Sequence, residues 1–189
     1  GLQLARNVRR LQASSGLVMI CADDGVDYSK PQLSHAFSQQ QTAQHLTRKT
    51  AEELRQELKM MLLSGQRIEA IHPNQRTVQV NGRTLAYSKL VLATGARAFI
   101  PPVAGDAHEE ILTLNSLQEY LYLRERMAYG ERVLVIGGGL IGTEIAHDLA
   151  VAGKRVTVCD PSPYLLASLL PEFAAQRLST VLRDLSCEL

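Results

Sequence analysis

The chain has 189 residues, 46% hydrophobic, 21% charged and 5% aromatic, and its 20 Lys+Arg against 19 Asp+Glu leave a formal net charge of +1. This composition is that of a folded globular protein, and the near-neutral balance lacks the basic field with which a general nucleic-acid binder neutralises phosphates. No apolar run reaches the ~18 residues of a membrane helix, because charges such as Lys89, Arg97 and Glu144 interrupt every candidate. Cys21, Cys159 and Cys187 are odd in number and far apart, so they form neither a disulfide framework nor a CxxC pair, which suits a reducing cytoplasm. The histidines show no metal-ligand spacing, and no metal site is expected.

In chain order, Leu4, Ala5, Val8 and Leu11 share one helical face, which predicts an amphipathic helix over residues 1–12 that opens on a glycine. LVMICA at 17–22 reads as a buried parallel strand followed by Asp23-Asp24. The glutamine-rich stretch from Gln39 to Gln44 reads as a short surface helix. Thr50 with Glu53 makes a capping box that opens a helix through about Met61. Asn81-Gly82 between RTVQV and RTLAY predicts a two-residue hairpin turn, since both residues tolerate positive φ.

KLVLATGA then reads as a buried strand closing on a glycine turn, and Pro101-Pro102 as an extended linker that places a boundary near residues 102–112. Ser116 and Glu119 cap a helix to about Ala128, RVLVI at 132–136 is a further buried strand, and RVTVCD precedes a leucine-rich helix from about Leu169 to Leu185. The order of strand, glycine turn, helix and strand is a βαβ unit.

Gly137, Gly139 and Gly142 fit GxGxxG directly after a strand and at the opening of a helix. The first glycine makes the tight turn, the second lets a pyrophosphate approach the backbone, and the third lets helix and strand pack closely. Leu140 and Ile141 then begin a helix whose N-terminus offers N–H groups and a positive dipole end to phosphates. Asp160, at the end of the next strand, is placed to accept hydrogen bonds from an adenine ribose. Pro161, Ser162 and Pro163 follow it without a basic residue to hold a 2′-phosphate, which favours NAD over NADP. The plain alternatives are a tight structural turn, and an Asp160 that only caps it.

Residues 1–23 repeat the layout of Gly142 to Asp160: a helix starting on glycine, a buried strand, an acid. Gly1 therefore takes the place of the third glycine of a second fingerprint, whose first strand and first two glycines are expected upstream. Two nucleotide units in tandem suggest a nicotinamide and a flavin dinucleotide in one protein.

The segments ADDGVDYSKPQLSH, KLVLATGARAFIPP, TLNSLQEY and GGGLIGTE together resemble the FAD- and NAD-dependent rubredoxin reductases, within the wider group of ferredoxin reductases and pyridine nucleotide-disulfide reductases. The resemblance implies an α/β fold of two Rossmann-like, three-layer nucleotide-binding domains of the disulfide-reductase type, both incomplete here. Residues 1–107 would be a partial FAD-binding domain and 108–189 the N-terminal part of an NAD-binding domain. It also implies that Gly1, Ala22, Asp23, Lys30, Ile68, Thr94, Gly95, Arg97 and Glu144 serve FAD, while Gly137, Gly139, Leu140, Ile141, Gly142 and Asp160 serve NAD. The flavin carries the chemistry and no protein residue is a nucleophile.

The implied activity passes electrons from NADH through FAD to rubredoxin or the rubredoxin domain of a flavorubredoxin, in nitric oxide detoxification. A ferredoxin or another acceptor, and a non-catalytic dinucleotide-binding fragment, remain the alternatives. Two departures stand out. Oxygenase-coupled relatives carry a lysine after LS where this chain has His35, which leaves Lys30 as the substitute partner for Glu144. The redox cysteines of the disulfide-reducing branch have no counterpart between Cys21 and Cys159.

Overall fold

The computed structural model describes residues 1–189. In chain order its elements are α1 (Leu2–Leu11), β1 (Val18–Ile20), β2 (Asp27–Tyr28), a 3-10 turn (Lys30–His35), α2 (Ala43–Leu46), β3 (Thr47–Lys49), α3 (Ala51–Leu58), β4 (Met61–Leu63), β5 (Ile68–His72), β6 (Thr77–Val80), β7 (Arg83–Ala86), a second 3-10 turn (His108–Glu110), α4 (Leu117–Met127), β8 (Arg132–Ile136), α5 (Leu140–Val151), β9 (Arg155–Cys159) and α6 (Glu172–Asp184). Contacts divide the chain into two compact units, one of Gly1–Tyr28 with Thr47–Arg97, the other of Ser29–Leu46 with Ala98–Leu189.

In the first unit, α1 runs as its apolar spacing requires, with Gly1 as its N-cap. Its one buried residue, Ala5, joins Leu54, Leu58, Met60 and Leu62 in a core against which Leu2, Leu17 and Met19 pack. Arg9 ties two helix ends together: its guanidinium donates to the carbonyls of Leu58 at 2.6 Å, Lys59 at 2.9 Å and Ala13 at 2.7 Å. A cation at a helix C-terminus satisfies carbonyls that have no partner within the helix.

Thr50 caps α3 with both bonds of a capping box: Glu53 N–H donates to its hydroxyl at 3.2 Å, and its own N–H donates to the Glu53 carboxylate at 2.7 Å. Thr50→Ala is expected to cost about 1 kcal/mol, measured as a drop in urea midpoint with an unchanged m-value.

The helix stops at Leu58 rather than near Met61, because Lys59 turns into the left-handed region at φ 44°. That reversal releases residues 61–63 as β4, which pairs in parallel with β1 over Val18↔Met61 to Ile20↔Leu63. The run MMLL is too short for its periodicity to separate a strand from the end of a helix. The hairpin forms where expected: Asn81 and Gly82 have φ of 47° and 68°, the two positive values of a type I′ turn, and β5 extends β6 and β7 to three strands. KLVLATGA does not form the buried strand that its apolar run suggests. Residues 90–100 lie outside every ladder, and Val91 and Leu92 are 59% and 67% exposed. A strand buried on both faces needs a bonded neighbour and covering layers, and this segment has no strand beside it.

In the second unit, β8 and β9 pair in parallel from Arg132↔Arg155 to Ile136↔Cys159, with α5 as the crossover between them, so the βαβ unit forms as expected. Residue 188 adds one bridge at the far edge of β9: Val158 N–H donates to Glu188 O at 2.8 Å. β8 is not buried on both faces. It is bonded on one side only, and Leu134 stays 60% exposed. α5 packs on β8, β9, α6 and the Lys30–His35 turn. The glutamine-rich stretch turns at Gln39 and Gln40 before α2 begins at Ala43, since Gln40 takes φ 50°. α6 starts at Glu172 after Pro171, whose fixed φ suits the N-cap, rather than at Leu169.

Candidate functional site: the glycine turn and its acid

The turn from β8 into α5 brings five expected residues together, Gly137, Gly139, Leu140, Ile141 and Gly142. Gly137 has φ +111°, a conformation that side chains strain against, and its N–H donates to Cys159 O at 2.8 Å, joining the ends of the two strands. Gly139 is the N-cap of α5, and its carbonyl accepts the first helical bond from Thr143 N–H at 2.9 Å. Leu140 and Ile141 form the first half-turn and are 55% and 59% exposed, so their N–H groups lie at an open helix end. Gly142 is the steric centre of the turn. A Cβ placed there would lie 1.9 Å from the carbonyl oxygen of Gly137.

Asp160 closes the other side. One carboxylate oxygen accepts Gly138 N–H at 2.6 Å and the other accepts Ser162 N–H at 2.7 Å. The Gly138 bond first, then those of Ser162, hold the carboxyl below the usual aspartate range. An acid depressed in this way adds stability above its ordinary value of 3.8 that is lost as pH falls through the lower folded value. Leu166 N–H donates to Gly138 O at 2.8 Å, so the loop after Asp160 is laced onto the glycine turn.

These features suit a dinucleotide. Space is open at Gly137 and Gly139, where an added Cβ would meet nothing within 4 Å, an uncapped helix N-terminus faces that space, and a fixed carboxylate stands at the neighbouring strand end.

The residues expected to serve the flavin are spread more widely. In the first unit, Gly1 opens α1, with Ala5 N–H on its carbonyl at 3.1 Å, and a Cβ on Gly1 would meet Ala93 at 3.5 Å. Ala22 and Asp23 are exposed just after β1. Asp23 is fixed from both ends, its carboxylate accepting Gly25 N–H at 3.1 Å and its carbonyl accepting Gly65 N–H at 2.6 Å. Ile68 begins β5, Thr94 and Arg97 are exposed, and Gly95 keeps its turn with φ +73°. A glycine at a helix N-terminus, an exposed acid at the following strand end and a glycine turn suit the phosphate and ribose of a second dinucleotide.

In the second unit, Lys30 donates to Asn115 Oδ1 at 2.6 Å, while Glu144 accepts the Ser34 hydroxyl at 2.8 Å. Glu144 thus takes a buried serine as its partner and Lys30 an asparagine.

Sequence reasoning passed over Asp148, which is 2% exposed on α5. Its carboxylate accepts Phe37 N–H at 2.8 Å, Ser38 N–H at 3.3 Å and the Ser38 hydroxyl. The same turn is held from α4, where the Tyr120 hydroxyl donates to Ala36 O and Gln41 O at 3.1 and 2.8 Å and Arg124 donates to Gln41 O at 3.0 Å. Its trace in the sequence is a carboxylate between Ala146 and Leu149, four residues from Glu144 on the same helix.

Burial pushes the Cys21 thiol up to about 12, reinforced by its bond to Asp23 and the charges of Asp23 and Asp24. Cys159 is exposed. Iodoacetamide at pH 8 is therefore expected to label Cys159 well before Cys21, as peptide mass mapping would show, because only the thiolate reacts. The raised value of Cys21 contributes stability below its ordinary 9.0 that is lost as pH climbs from there through about 12.

The pyridine nucleotide-disulphide oxidoreductase family model matches residues 1–188. The nitric oxide reductase FlRd-NAD(+) reductase of Vibrio vulnificus is 50% identical over 173 residues, 92% of this chain and 45% of that protein. Its namesake in Escherichia coli O157:H7 is 43% identical over 187 residues, 99% of this chain and 49% of that protein. The ferredoxin reductase of Rhodopseudomonas palustris superposes with a TM-score of 0.88 at 27% identity, over 98% of this chain and 46% of that one. The chain spans about half the length of the curated relatives it matches. With an α/β architecture, parallel strands and a fingerprint turn in register, it belongs to the pyridine nucleotide-disulphide oxidoreductase family.

Proposed function

We propose that the protein is a cytoplasmic flavoprotein oxidoreductase that passes electrons from NADH through FAD to rubredoxin or the rubredoxin domain of a flavorubredoxin, in nitric oxide detoxification. The observation that carries this reading is the glycine turn, where only a residue without Cβ fits at Gly142 and a fixed Asp160 stands beside an open helix N-terminus. The 50% identity to a protein named as the NAD(+) reductase of a nitric oxide reductase supports the acceptor class.

Residues 1–107 contribute to an FAD-binding domain and 108–189 to an NAD-binding domain. Gly1, Ala22, Asp23, Lys30, Ile68, Thr94, Gly95, Arg97 and Glu144 hold FAD. The helix N-terminus at Gly139, Leu140 and Ile141 receives the NADH pyrophosphate, Gly137 and Gly142 keep the backbone close to it, and Asp160 takes the adenine ribose. Its carboxylate accepts Gly138 N–H and Ser162 without filling its ~four acceptor positions, which leaves capacity for a ribose hydroxyl. Pro161, Ser162 and Pro163 present no cation to a 2′-phosphate, which supports NADH over NADPH.

FAD held by these residues would supply the chemistry that couples a two-electron hydride donor to a one-electron acceptor. The protein's share is to bind, orient and exclude water. Anaerobic stopped-flow reduction of the FAD-loaded protein by NADH, followed by mixing with rubredoxin or ferredoxin, tests the reading. Faster transfer to rubredoxin is expected, and faster transfer to ferredoxin overturns the proposed acceptor.

A further inference from the structure

The acid that ends β9 has a second partner besides any ribose. Asp160 accepts the N–H of Gly138, the residue between the first two fingerprint glycines, at 2.6 Å. Gly138 is locked on its other side by Leu166 N–H on its carbonyl at 2.8 Å, and a Cβ added to it would lie 2.8 Å from Leu165 and 3.2 Å from Asp160. Thr143 donates its hydroxyl to the same carbonyl at 3.3 Å. One peptide unit of the phosphate-facing loop is therefore held by the carboxylate that meets the nucleoside, and neither neighbouring glycine has a side chain with which to hold it.

We infer that Asp160 is a positioning residue for the pyrophosphate loop as well as a ribose ligand, so that the glycine turn keeps its binding shape only while an acceptor stands at position 160. The inference rests on the dinucleotide reading above. A loop with three glycines loses more backbone freedom on ordering than any other, and an N–H fixed to a carboxylate offsets that cost before the ligand arrives. A substitution at Asp160 that admits a 2′-phosphate would then also loosen the loop that binds every adenine dinucleotide.

The test uses a probe without ribose hydroxyls. Binding of ADP and of 2′,3′-dideoxy-ADP is measured by calorimetry on the wild-type protein, Asp160→Ala and Asp160→Asn. Removing the carboxylate also removes a negative charge that repels the phosphates, so the deciding comparison is between the two neutral variants. The asparagine carbonyl still reaches Gly138 N–H, and water can serve the N–H of the exposed Ser162.

Expected is that dideoxy-ADP binds Asp160→Asn about fivefold or more tightly than Asp160→Ala, and that the Gly138 amide, protected from exchange in the wild type and in Asp160→Asn, exchanges freely in Asp160→Ala. Equal dideoxy-ADP affinity in the two variants overturns the positioning role, even where both lose ADP affinity through the ribose. Failure of the wild-type protein to bind either nucleotide overturns the site reading and the inference with it.

Discussion

Gly142→Ala is expected to abolish NADH binding and to unfold the second unit at markedly lower denaturant. A Cβ at position 142 would stand 1.9 Å from Gly137 O and 3.5 Å from Val135 Cγ1, and the first contact is with backbone rather than with the movable end of a side chain. The carbonyl cannot yield easily, since the Gly137 N–H is bonded to Cys159 O and its φ of +111° is already one that only glycine adopts readily. Overpacking a rigid contact costs about 3 kcal/mol or more, so the helix must move off the strand and the glycine turn opens. Equilibrium urea unfolding reads the stability loss, and quenching of NADH fluorescence reads the binding loss. A variant that binds NADH like the wild type would show that the turn is not the nucleotide site.

Asp148→Ala is expected to be the most destabilising side-chain truncation on α5, at about 3 kcal/mol or more. Its carboxylate is almost wholly buried and accepts the N–H groups of Phe37 and Ser38 and the Ser38 hydroxyl. Alanine would leave these donors without an acceptor in a place where Phe37 packs on Tyr120 at 4.7 Å and excludes water. A buried donor without a partner costs its full desolvation. Asp148→Asn keeps one acceptor and should recover part of the loss. Amide exchange at Phe37 and Ser38 checks the assignment, because it should rise far above that of β8 and β9 in the alanine variant. Equal exchange in the variant and the wild type would exclude Asp148 as the anchor of the 36–41 turn.

Local interactions wrote themselves plainly into the sequence. Thr50 with Glu53, Ser116 with Glu119, Asn81-Gly82 and the three glycines from Gly137 to Gly142 each specify a cap or turn through atoms a few residues apart, and all four form. The strands were less legible. MMLL and KLVLATGA are both short apolar runs, yet the first becomes β4 because Lys59 turns it back alongside β1, while the second lies outside every ladder. Periodicity cannot report whether a neighbour exists.

The site divides in the same way. Gly137, Gly139, Gly142 and Asp160 could be named from spacing, because a glycine turn and the next strand end are one βαβ unit with short connections. Asp148 with Phe37, Ser34 with Glu144 and Lys30 with Asn115 lie 85 to 111 residues apart, and no local pattern announces them.

By itself, then, the sequence determined the crossover unit, its glycine turn and the acid beside it, since backbone geometry, steric exclusion and capping act over a few residues. Only the tertiary structure decided which apolar runs became paired strands and which polar side chains were buried, since both depend on partners that chain folding brings from far away.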